Sequence, residues 1–111
     1  MIQTRSTPFE VEYTSETPEL NDAMKSKVEQ RIQKLVERHR DVTGAALAVG
    51  VDGPGPSFRV RLVLYCRPEN VAATHEGPSL QAVIREVLDA VERQVREQRE
   101  RRRARSRRRP E

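Results

Sequence analysis

Alternating apolar and polar positions predict four strands. The third is the clearest, because large apolar side chains stand at every second position: Phe58, Val60, Leu62 and Leu64. A period of two puts such side chains on one face of a strand. The same alternation predicts a first strand over residues 9–14, a second over 46–51 and a short fourth over 71–76. The composition of residues 52–57, DGPGPS, predicts the turn between the second and third strands.

Apolar residues at three- and four-residue spacing predict two amphipathic helices. The first opens at Thr17 and Pro18, since Thr is a favourable N-cap and Pro fits the first turn, and it stops at Gly44. Its apolar stripe is Leu20, Met24, Val28, Ile32, Leu35, Val36 and His39. The second helix follows its expected cap, Ser79. Its stripe is Leu80, Val83, Ile84, Val87, Leu88, Val91 and Val95.

The element order is therefore βαβββα. Strands two to four are expected to form an antiparallel meander, and the two helices can cover the apolar face of one sheet. This is a two-layer α+β domain. The other sheet face is expected to stay in water, as antiparallel sheets allow. Its residues are Glu10, Glu12, Arg59, Arg61 and Thr74.

Charge divides the chain into two segments. The net charge is +4, but residues 99–111 hold eight Arg and two Glu, a net +6. Residues 1–98 hold 13 basic and 15 acidic side chains, a net −2. We therefore predict an α+β domain over residues 1–98 and an Arg-rich tail over residues 99–111. A run of like charge is usually a disordered interaction arm.

The sequence favours a cytoplasmic protein. Cys66 is the single cysteine, so it forms no internal disulfide and a reducing compartment is the simplest interpretation. Residues 1–8 are polar and have no apolar signal core. No apolar run is long enough to cross a bilayer, so no membrane partner is expected.

A basic stripe marks one flank of the first helix. Lys27, Arg31, Lys34 and Arg38 are spaced four, three and four residues apart, which places them on one side of a helix. A phosphate backbone would relieve their mutual repulsion. The alternative is a solvated face whose long side chains cover their neighbours. Arg31 and Lys34 are expected to be exposed, and Lys25 lies on the opposite flank.

The second helix has a mixed outer face. Asp89 with Arg93 and Glu92 with Arg96 are spaced as i,i+4 pairs, which is typical of a salt-bridged surface helix. The tail beyond it is nearly pure Arg, and Arg binds phosphate in a forked geometry and stacks on bases. Nucleic acid is its natural partner, although an acidic protein, a membrane surface or a role in solubility alone stays open.

Catalysis finds little support in the sequence. His39 lies on an apolar stripe, where a packed side chain is expected. Cys66 and His75 could approach each other across a hairpin, but a Cys–His pair without a third orienting group is a weak sign of a nucleophile. No metal-ligand spacing is present, and no cofactor or small-molecule substrate is indicated. We therefore expect a protein that is not an enzyme.

Over residues 9–101 the chain resembles the short ribosome hibernation-promoting factors and ribosome-associated inhibitors, also called sigma-factor modulation proteins. In the first helix the matching residues are Ala23, Met24, Lys25, Arg31, Lys34 and Leu35. In the last strand and second helix they are Ala72, Ala73, Glu76, Gly77, Ala82, Ile84, Asp89, Arg93 and Gln94. The chain departs from the family pattern at Ser79, an acidic cap in the family, and at Ala90, where a basic residue is common.

The resemblance implies a four-stranded mixed sheet with both helices on one face. It also implies a partner, the small ribosomal subunit and its RNA, bound in the decoding channel so that translation is silenced by occupancy during stress. Basic residues of the helices would contact phosphates of the ribosomal RNA. The RNA would then be recognised by its shape and charge more than by its base edges. The RNA-binding candidates are Lys25, Lys27, Arg31, Lys34, Arg38, Arg93, Arg96, Arg99, Arg101, Arg102 and Arg103.

Two other functions stay open. One is a general double-stranded-RNA-binding module, although such domains usually carry a Lys cluster at the start of the final helix and residues 77–82 have none. The other is a protein-interaction adaptor that modulates transcription, with the basic groups serving solubility.

Overall fold

Six elements follow one another in the predicted order. The computed structural model describes residues 10–39, 41–53, 57–67 and 69–108. The elements are β1 (Glu10–Ser15), α1 (Asp22–Arg38), β2 (Val42–Val51), β3 (Phe58–Cys66), β4 (Val71–Gly77) and α2 (Leu80–Arg108). Phe9 and the middle of the DGPGPS turn lie outside the described residues.

The strands form one mixed sheet in the order β1-β2-β3-β4. β2, β3 and β4 pair antiparallel, so the predicted meander is confirmed. β1 pairs parallel to β2, with Val11 opposite Ala45. A parallel pair needs a crossover connection, and α1 supplies it.

Both helices cover one face of this sheet, which confirms the two-layer α+β fold. Val60, Leu62 and Leu64 of β3 are fully buried, as their alternation predicted, and Val28 and Val87 meet them from the two helices. The opposite sheet face is open. Its predicted members Glu10, Glu12, Arg59, Arg61 and Thr74 are all exposed.

α1 is shorter than predicted at both ends. Its N-cap is Asn21, whose side chain accepts a hydrogen bond from the Met24 N–H, and Thr17 instead accepts from the Glu19 N–H in the turn before it. The helix ends at Arg38 because His39 has an extended backbone. Gly44, expected to stop the helix, lies inside β2, which extends to Val42.

α2 begins as predicted and ends later than the apolar stripe. The Ser79 hydroxyl accepts a hydrogen bond from the Ala82 N–H. The helix then runs without a break through residue 98 to Arg108. The division into a domain over residues 1–98 and a tail over residues 99–111 stays a prediction. The backbone is helical on both sides of that boundary. In the described part of the chain, no helix is long and apolar enough to cross a membrane.

Candidate nucleic-acid interface

Arg31 joins the two helices. Its Nη2 atom lies 2.9 Å from both Asp89 Oδ1 and Glu92 Oε1. Burial alone would lower the pKa of Arg31, and the two carboxylates more than offset that, so the pKa is raised. The expectation of an exposed Arg31 is wrong, because only 35% of its side chain is accessible. Its contact with RNA stays a prediction.

The same contact overturns the expected pairing within α2. Among the described side chains, Asp89 and Glu92 pair with Arg31 and not with Arg93 and Arg96. Arg93 and Arg96 are exposed and do not pair with those carboxylates. A tertiary ion pair has replaced two local ones, so the outer face of α2 carries more uncompensated positive charge than its sequence indicates.

Lys25 lies on the far flank of α1, against β1. Its Nζ atom lies 5.1 Å from the centroid of the Tyr13 ring. The Tyr13 hydroxyl donates to Glu29 Oε2 at 2.7 Å and also contacts the Lys25 carbonyl. Burial, and next the hydrogen bond to Glu29, raise the pKa of Tyr13. This cation–π contact holds α1 against β1 and separates Lys25 from the other α1 cations.

Three of the four stripe residues on α1 are exposed. They are Lys27, Lys34 and Arg38. Lys27 lies at a cleft between the N-terminal parts of the two helices, while Arg38 lies in the last turn of α1. The predicted basic stripe therefore exists, interrupted by the paired Arg31.

Cations from both helices meet around His39. The two helices run parallel, because Asn21 and Gln81 line one cleft while His39 lies beside Arg99 at the other end. His39 is buried, which confirms its predicted packing. Burial, and next the charge of Arg99, lower the pKa of His39; Asp41 acts in the opposite direction, and Arg38 and Arg96 add to the lowering.

The start of the Arg-rich segment packs on the α1–β2 turn, and Gln98 just before it packs on the β3–β4 turn. Gln98 is buried and donates to the Glu69 carbonyl at 3.2 Å. Arg102 Nη1 lies 3.1 Å from Asp41 Oδ2. Arg101 and Arg103 are exposed. The sequence reasoning missed Asp41, and no local pattern could have found it, because the pair spans 61 positions. The segment begins as a docked helix and not as a loose arm.

Cys66 and His75, which the sequence allowed to approach across a hairpin, lie far apart. His75 stands opposite Val60 in the β3–β4 pair, whereas Cys66 ends β3 six residues later, roughly 20 Å away at the rise of a strand. The Cys66 thiol is buried and donates to the Glu69 carbonyl. Burial, and next Asp41, raise its pKa. Within the described ranges, no cluster of His, Cys, Asp and Glu could hold a metal ion.

These observations define the class: a βαβββα domain whose two parallel helices present a basic face. The chain belongs to the family described as Sigma 54 modulation protein / S30EA ribosomal protein, whose profile matches residues 11–103. This confirms the resemblance seen in the sequence. Membership of this family supports a ribosome-associated protein.

Two solved structures are similar in fold. A ribosomal subunit interface protein from Coxiella burnetii superposes with a TM-score of 0.70 at 9% identity, covering 81% of this chain and 97% of that one. The N-terminal domain of Thermus thermophilus Protein Y superposes with a TM-score of 0.61 at 22% identity, covering 82% of this chain and 96% of that one. Among curated proteins, no sequence matches significantly.

Proposed function

We propose that this protein binds the small ribosomal subunit through its helical face and silences translation by occupying the decoding channel. Its helix cations contact ribosomal RNA phosphates, and it acts in the cytoplasm as a stress or hibernation factor. The action is occupancy, so no catalytic group and no cofactor takes part.

The cluster around His39 is the observation that carries the proposal. Arg99 Nη1 of α2 lies 3.5 Å from Nδ1 of the buried His39. Arg38 of α1 directly precedes His39, and Arg96 lies one turn before Arg99 on α2. Such a density of like charge is unfavourable in the free protein, and a phosphate backbone relieves it while releasing counterions. Lys34, one turn before Arg38, and the exposed Arg103 extend the same surface.

The family supports the choice of partner. The Coxiella burnetii relative in fold is described as a ribosomal subunit interface protein, and the present family carries a ribosomal protein in its description. Burial of the helices' apolar stripes against the sheet leaves their basic side as the surface that a polyanion can reach.

Sedimentation with purified small subunits over a salt series tests the proposal. We expect co-migration at low salt that falls steeply as salt rises, because phosphate contacts release counterions. Arg38→Glu should weaken binding by about tenfold or more. Arg61→Glu is the matched control, because Arg61 is also exposed but lies on the opposite face of the sheet.

Three outcomes would decide against the proposal. Absence of co-migration at low salt would remove the ribosome as partner. Equal loss in the Arg38 and Arg61 variants would remove the helical face as the contact surface. Equal affinity for isolated duplex RNA and for ribosomes would favour the general double-stranded-RNA module. Arg31→Glu is a poor probe here, because it would set a carboxylate beside Asp89 and Glu92.

A further inference from the structure

A cleft opens between the N-terminal parts of α1 and α2, at the end of the helical layer away from His39. It encloses about 360 Å³, at the lower end of the roughly 300 to 1,000 Å³ typical of small-ligand sites. Met24, Ile84 and Leu88 supply its apolar lining. Lys27 and Arg85 line it from α1 and α2 respectively, and the Gln81 amide lies beside them.

The two cations at this cleft are uncompensated. Of the three cations that line it, Arg31 is engaged by Asp89 and Glu92. Among the described side chains, Lys27 and Arg85 take part in no ion pair, and both are exposed. The cleft therefore combines an apolar surface with a net positive rim, which suits a ligand that has an apolar body and an anionic group.

We infer that this cleft binds a single nucleotide, with the base on the apolar lining and the phosphate between Lys27 and Arg85. A base can pack against apolar side chains and on an Arg guanidinium plane, and Gln81 offers both a donor and an acceptor to a base edge. An inorganic anion would leave the apolar lining unused. A helical peptide would need a longer groove, whereas the Arg31 contacts cross between the helices and limit this one.

The nucleotide has two possible sources, a single-stranded RNA segment or a free mononucleotide. If it belongs to RNA, the inference rests on the proposed function and adds a base-binding position to the phosphate contacts. The two hypotheses are tested separately, because the cleft is examined in the isolated protein without ribosomes.

Met24 provides a local probe. The chain has two methionines, so ¹³C-methyl-methionine labelling of the full chain gives two signals, and Met24→Leu assigns the one at the cleft. Titration with AMP should shift the Met24 signal saturably. Adenosine and ribose 5-phosphate should each bind several-fold more weakly than AMP, because each lacks one half of the recognised group.

Paired variants test the two cations. Lys27→Ala with Arg85→Ala should weaken the AMP response by about tenfold or more, as loss of charged hydrogen bonds predicts. Arg61→Ala with Arg67→Ala is the matched control, because it also removes two exposed cations but outside the cleft and the helices, and its AMP response should be unchanged.

A short oligoadenylate identifies the source. Much tighter binding of the oligomer than of AMP indicates RNA, and equal binding per nucleotide indicates a free nucleotide; both support the cleft. Three results would overturn it: no Met24 shift with either AMP or the oligomer, a response to ribose 5-phosphate as strong as to AMP, or equal losses in the two double variants. Ribosome sedimentation of the same variants reports on the proposed function independently.

Discussion

The guanidinium of Arg31 on α1 lies 2.9 Å from the carboxylate of Glu92 on α2. The same nitrogen contacts Asp89, one turn earlier on α2. One side chain thus fixes the two helices to each other on their outer side, above the apolar contacts. The sequence predicts Arg31 to be part of a nucleic-acid-binding stripe, but in the structure its side chain connects α1 to α2.

Arg31→Met should destabilise the domain by about 1 kcal/mol. The change removes charged hydrogen bonds to two partly exposed carboxylates, for which solvent screening limits the cost. Urea unfolding followed by circular dichroism measures it. Lys34→Met is the control, since Lys34 is exposed on the same helix and makes no ion pair among the described residues, and its effect should stay within about 0.5 kcal/mol. Equal costs in both variants would contradict a stabilising role of Arg31.

Replacing Arg101, Arg102 and Arg103 by Gln should flatten the salt dependence of ribosome binding. Each lost phosphate contact reduces the slope of log affinity against log salt by about 0.7 to 0.9, so a decrease of about 2 is expected. Arg102 should contribute least, because it already pairs with Asp41. Sedimentation at several salt concentrations gives the slope. An unchanged slope would show that this part of α2 does not touch phosphate.

His39 should make the fold less stable in mild acid. Burial and the nearby arginines hold its pKa below the usual 6.5. The unfolded chain therefore takes up a proton at higher pH than the folded one, and stability falls as pH drops from about 6.5 toward the folded pKa. His39→Gln should remove this part of the pH dependence. Urea unfolding from pH 7.5 to 5 measures it, and parallel pH profiles for the two proteins would contradict the prediction.

The Cys66 thiol should react slowly with iodoacetamide. It is buried, donates to the Glu69 carbonyl and has a raised pKa, so little thiolate is available and access is poor. At pH 8 we expect alkylation at least about tenfold slower than in the same protein unfolded by urea, as followed by mass spectrometry. Equal rates would mean that the end of β3 opens freely.

Strand positions were predictable because burial on one face imposes a strict period. Val60, Leu62 and Leu64 alternate with outward-facing residues, two of them exposed arginines, and the register with β2 and β4 keeps all three on the core side. A shift by one residue would turn this apolar set toward water. The fold class followed from that pattern together with the two helical stripes.

The ends of α1 were not predictable from local preference alone. Thr17 and Asn21 are both good cap residues, and only Asn21 accepts from the helix, while Thr17 serves the preceding turn. At the other end, Gly44 is a residue type that commonly ends a helix, but here it lies within β2, opposite Tyr65 of β3 and Glu10 of β1. Strand pairing between distant segments determines where α1 ends and β2 begins. This pairing cannot be predicted from the few residues around Gly44.

The candidate site was predicted in part. The exposure of Lys34 and Arg38 and the burial of His39 follow from their angular positions on α1. The pairing of Arg31 does not, because its partners lie 58 and 61 residues away. Local spacing had assigned Asp89 to Arg93, and geometry between the two helices assigned it to Arg31 instead.

Because α2 is unbroken, the arginines at positions 99–103 have fixed angular positions around the helix axis. The buried stripe sets the rotation of the helix about its axis, and each further residue adds about 100° to it. Arg99 and Arg102 consequently lie above His39 and Asp41, while Arg103 is exposed. One residue inserted after Gln98 would keep every charge and rotate all of these arginines by about 100° relative to the core. The net charge of this segment would stay the same, but its arginines would face different directions.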